Sequence, residues 1–136
     1  MAKRELKSTT SSVVALNTSA ISSDTTTNGE IIDTAGFESI LFVIQSGTLT
    51  DGTYTPLIQE GDDSGLSDAS AVADGDLTNT EASVAFAASD DNAVKSIAYV
   101  GSKRYVRLNI VSASTSSGGT VCAVAVKGNP ISAPAA

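Results

Sequence analysis

The sequence predicts an all-β fold: a single-domain antiparallel β-sandwich, jelly-roll-like, of about eight short strands. Three observations predict it. No window carries apolar residues at the i, i+3, i+4, i+7 spacing of an amphipathic helix, because Gly, Ser, Thr and Asp interrupt every candidate. Short runs rich in Val, Ile, Thr and Tyr recur instead, with turn residues between them. The chain of 136 residues suits one core and no second lobe.

In chain order, residues 1–12 are polar and partly basic and read as an N-terminal arm. The sandwich domain is expected over residues 13–130, with strands near Val13 to Ser19, Gly29 to Thr34, Glu38 to Gln45 and Thr53 to Glu60. Residues 61–80 read as a long loop with one helical turn around Asp68 to Ala73. Further strands are expected near Ala82 to Ala87, Val94 to Val100, Arg104 to Ser112 and Thr120 to Lys127. Alternation in the run from Arg104 to Ile110 puts Val106, Leu108 and Ile110 on the core face. Tyr105, Arg107 and Asn109 then take the other face. Ile40 to Ile44 has no polar face and reads as a central strand covered on both sides, by a second sheet or a neighbouring subunit. Thr115 to Gly119 reads as a hairpin joining the last two strands, with glycine supplying positive φ. Residues 131–136 read as an extended C-terminal tail. Such ends fray in a monomer or reach across to neighbours in an assembly, and the sequence leaves both readings open.

The apolar residues are mostly small: aromatics make up 4% and Trp is absent. Burying a Val or Leu contributes roughly 1.5–3 kcal/mol against about 1–2 kcal/mol of backbone entropy per ordered residue. A core of this kind makes a marginal monomer, and association supplies the missing burial. No stretch approaches a membrane span, and the charged start lacks the apolar region of a secretory signal. The single Cys122, inside the apolar run Val121 to Val126, reads as an inert thiol in a reduced compartment.

Chemistry is sparse. With no histidine, the commonest general base and the Ser-His-Asp and Cys-His systems are missing, and no phosphate-cradling glycine motif occurs. No catalytic residue, cofactor or metal site is predicted. Asp62, Asp63, Asp74 and Asp76 are hard-oxygen clusters of the kind calcium takes. Outside EF-hand spacing they read as solvated turns.

The net charge of −7 is segregated along the chain. Residues 8–94 hold fourteen acidic side chains and no Lys or Arg; residues 92–136 hold Lys95, Lys103, Arg104, Arg107 and Lys127 and no acid. The two regions either neutralise each other inside one sandwich or set head-to-tail contacts between copies. Lys3, Arg4, Lys103, Arg104, Tyr105 and Arg107 are the interface candidates. Nucleic acid is a poor partner for so acidic a chain without a stacking platform.

Several phrases resemble small virion proteins of tailed bacteriophages: Ile32 to Ser39, Gln45 to Tyr54, Gly61-Asp62-Asp63, Ala71 to Asp74 and Tyr99 to Arg107. The likeness is to capsid decoration, cement or head-stabilising proteins. It implies a structural protein on the capsid exterior, synthesised in the host bacterial cytoplasm. The implied partners are the major capsid protein and copies of itself, as a homotrimer, with no nucleic acid and no membrane. By bridging capsomers it would stabilise the shell. The alternatives are a head-tail connector or tail component, and a carbohydrate- or host-binding module needing an exposed cluster among Tyr54, Tyr99 and Tyr105.

Overall fold

The computed structural model describes residues 6–130. A 3-10 turn at Lys7–Thr9 leads into β1 (Ser11–Ile21), β2 (Thr26–Asp33), β3 (Phe37–Leu49) and β4 (Thr53–Gly61). The chain then turns back through β5 (Ser70–Ala71), β6 (Phe86–Ala87), β7 (Val94–Tyr99), β8 (Tyr105–Ala113) and β9 (Gly119–Pro130). Two sheets result, one ordered β1-β9-β3-β7 and one ordered β2-β8-β4-β5, with β6 also paired to β4.

This is a jelly roll, and its logic is that of one long folded hairpin. β1 pairs with β9, β2 with β8, β3 with β7 and β4 with β5, all antiparallel. Ser11 lies opposite Lys127, Ile32 opposite Val106, and Ile40 opposite Tyr99. One step forward in the first half is therefore one step back in the second. Rolling the hairpin adds the β3–β9 and β4–β8 ladders and closes two layers on one core.

Alternation fills that core. Ile40, Phe42 and Ile44 of β3, Ile97 and Tyr99 of β7, and Val121, Ala123 and Ala125 of β9 point inward from one sheet. Tyr54 and Ile58 of β4 and Val106, Leu108 and Ile110 of β8 meet them from the other. The expected core face of β8 is observed. Asn109 is on the opposite face yet buried, because its Oδ1 accepts from the Gly29 N–H where β2 is irregular. At Gly29 the two sheets nearly touch: a Cβ there would lie 2.2 Å from the Leu108 carbonyl oxygen and 2.3 Å from that of Ala15.

The free edge of β4 is closed by unlike pieces. β6 pairs at Tyr54, Pro56 has no N–H to leave bare, and β5 pairs at Glu60. Between them the buried Ile58 donates its N–H to Glu81 Oε2 at 2.6 Å, and its carbonyl accepts from Val72 at 2.9 Å. Tyr54, Ile58 and Glu60 thus each find partners on this edge.

The structure corrects three expectations. Ala82 to Ala87 is not one strand but a 3-10 turn (Glu81–Val84) followed by the two-residue β6. Thr80 caps the turn by accepting from the Ser83 N–H, and the turn delivers Glu81 to Ile58. The helical turn expected at Asp68 to Ala73 is replaced by β5, and a 3-10 turn falls at Asp74–Asp76. Asp68 instead accepts from the Asp62 and Asp63 N–H groups, which closes a non-helical loop. The Thr115 to Gly119 loop crosses between sheets rather than forming a hairpin, although Gly118 has the positive φ, +76°. The inner face of β3 is covered by the opposite sheet, as the Ile40 to Ile44 run predicts, and its outer face, with Leu41 37% exposed, is the one left to a neighbour.

Two stability measurements check these contacts. Glu81→Ala strands a buried N–H and should cost about 1–3 kcal/mol in urea unfolding. Glu81→Gln keeps an acceptor and removes a carboxyl whose pKa is raised by burial, so it should lose far less at neutral pH. Gly29→Ala should cost at least about 2 kcal/mol, because both obstructing atoms are backbone.

Candidate interaction surface

One end of the sandwich gathers the start of β1, β3 and β8 and the end of β2, β4, β7 and β9. Ser11 lies beside Lys127, Phe37 beside Pro130, and Tyr105 between Asp33 and Gly61. The candidates Lys3 and Arg4 lie outside the described residues, as does the 131–136 tail.

The folded hairpin brings the acidic half of the chain against the basic half at this end. Arg104 grips Asp33 with two parallel hydrogen bonds, Nε to Oδ1 at 2.9 Å and Nη2 to Oδ2 at 3.0 Å. That hydrogen bonding pulls the Asp33 carboxyl down to about 2. The Arg104 guanidinium also lies 5.1 Å from the centre of the Tyr105 ring. Lys103 Nζ is 2.9 Å from Asp62 Oδ2. Arg107 sits further along β8 and donates from Nη2 to Gln59, whose same oxygen accepts from Asn109. Of the four described candidates, Lys103, Arg104 and Tyr105 are therefore neighbours, while Arg107 belongs to a separate amide network. Neutralisation inside one sandwich is what the described residues display for Arg104 and Lys103. The Asp33 and Asp62 pairs are largely solvent-exposed, so water screens them and each adds little to stability.

Sequence reasoning missed the clamp beneath this surface. The Tyr99 hydroxyl donates to Glu60 Oε1 at 2.6 Å and accepts from the Lys103 N–H at 3.0 Å, tying the two sheets together. Burial first, and the bond to Glu60 second, hold the phenol well above its usual pKa. Gly101 is required by the same clamp, since a Cβ there would lie 2.5 Å from the Tyr99 ring. Beside it is an open crevice of about 240 Å³, lined by Thr34, Phe37, Ile40, Tyr99 and Lys103 among others. The spacing Tyr99-x-Gly101-x-Lys103 was legible, but nothing local says that the ring folds back over the glycine.

Two of the four hard-oxygen candidates are occupied by the fold's own donors. Asp63 Oδ2 accepts from the Gly65 and Ser67 N–H groups, and Asp62 faces Lys103. Asp74 and Asp76 are the first and last residues of a 3-10 turn. Among the described residues no group of three metal-ligating side chains converges. Tyr54 and Tyr99 are buried, so the tyrosines make no exposed platform of the kind a sugar-binding face needs.

A solved structure shares this architecture. The crystal structure of SPBc2 prophage-derived protein YomS is similar to this chain, with a TM-score of 0.54 and 14% sequence identity. The similarity covers 88% of this chain and 93% of that one. At that identity it shows the fold. No protein-family model matches the sequence, and no curated protein does.

Tyr99→Phe should cost about 1–3 kcal/mol, because it removes a donor and an acceptor at once from a buried site. A separate prediction concerns acid. Asp33 is depressed in the fold from 3.8, so its contribution is complete above about pH 4 and disappears as pH falls toward 2. Thermal melts of Asp33→Asn should therefore show a shallower loss of Tm than the parent chain across that window.

Proposed function

We propose that this chain is a structural protein of a tailed-bacteriophage virion, which binds the outer capsid surface and stabilises the shell by bridging capsomers. The observation that carries the reading is the jelly-roll sandwich shared over 88% of the chain with a prophage-derived protein. The phage-like phrases Ile32 to Ser39 and Tyr99 to Arg107 support it from the sequence, and both map to the end described above.

The end suits such a job physically. Paired charges and the Tyr99 clamp hold loops from both sheets in one arrangement, so docking loses little conformational entropy. Lys103 and Arg104 present hydrogen-bonding groups to an adjacent surface while remaining neutralised in cis. Many modest contacts per particle, each reversible, add up to a tightly held shell.

The test is to add purified protein to isolated expanded heads of the phage that encodes it. Pelleting with the heads, and a higher temperature of DNA release, is the expected result. The exposed pair Lys103→Glu and Arg104→Glu should weaken pelleting at least about tenfold, equivalent to about 1.4 kcal/mol, while the fold persists. Rings or tubes formed by the protein alone, with no binding to heads, would transfer it to a connector or tail role.

A further inference from the structure

We infer that the outer face of the four-stranded sheet is a self-association surface on which a second copy of this chain stacks, sheet against sheet. The inference does not depend on the capsid reading. In one row across the sheet, Val14, Val124 and Val43 lie side by side; in the next, Val126 lies beside Leu41. Val14 is 50% exposed and Val124 42%, and Val94 at the margin is 62% exposed. The other outward positions from Ser39 to Gln45 and their ladder partners are Ser, Gln, Gly, Ala and Cys122. No Asp, Glu, Lys or Arg points outward among them.

Charge selects the occupant. The chain carries −7, so two copies repel through most of their surfaces. This face brings no carboxylates together, and a basic partner would find nothing on it to pair with. An identical face brings valine rows against valine rows with no like charges opposed, which satisfies the self-complementarity of a two-fold contact. Strands about 4.8 Å apart and about seven residues long give roughly 450 Å² per copy, or roughly 900 Å² in all. That lies below the roughly 1,600 Å² of a standard stable interface and within the range of weak, specific contacts. The pair therefore forms at high concentration, or where copies are held close together. Sheets stacked in this way sit about 10 Å apart.

Sedimentation velocity from micromolar to millimolar protein tests it directly. A reversible monomer–dimer equilibrium that strengthens with added salt is expected, since salt screens the net repulsion and leaves apolar contact intact. Val124→Lys and, separately, Val94→Lys should each weaken it at least about tenfold with the melting curve preserved, because both sites tolerate a charge in the monomer. In the unmodified chain, Cys122 on the same face should react with a thiol reagent more slowly as dimer accumulates. A monomer at every concentration, a trimer, a dimer that salt dissolves, or association untouched by both lysine variants would overturn the inference.

Discussion

The antiparallel register between the two halves of the chain is the constraint on which everything else depends. Because β1 to β3 pair in reverse order with β7 to β9, residues far apart in sequence become neighbours in a fixed succession. The core, the closed edges and the shared end of the sandwich all follow from that pairing. It is also why so little of the fold is local: most of the ladder partners are tens of residues apart, and long-range pairings of this kind set slow, cooperative folding.

The same register explains what the divided charge does. An acidic first half and a basic second half would repel within themselves if each folded alone. Paired in reverse, they place Asp33 against Arg104 and Asp62 against Lys103. Two acids without a cation are satisfied chiefly by backbone instead. Asp51 accepts from the Ser116, Ser117 and Gly118 N–H groups and Asp24 from that of Thr115, so two carboxylates hold the β8–β9 crossover loop. Hydrogen bonding, led by the Ser116 hydroxyl, keeps the Asp51 carboxyl far below its usual pKa. A chain of net charge −7 thus stays folded with few cations because much of its negative charge is directed at N–H donors.

Much of the architecture was legible in particular residues. Val106, Leu108 and Ile110 announced their buried face by simple alternation, and all three are fully buried. The doubly apolar Ile40 to Ile44 run was equally plain, but the covering of its second face is a property of neighbours and not of the strand. The turn at Glu81–Val84 was misread because its purpose is distant: Thr80 caps it locally, but Glu81 is there to complete Ile58 in β4. The Tyr99 clamp was missed for the same reason, since Glu60 and Lys103 meet it only after both sheets close.

By itself, then, the sequence determined the all-β class, the strand faces and the scarcity of chemical groups, because alternation, turn residues and composition act over a few neighbouring positions. Tertiary structure decided which carboxylate meets which cation, how β4 hides its edge, and which apolar face is left uncovered. Those outcomes depend on the pairing of one half of the chain with the other, and a run of residues read alone carries no record of its partner.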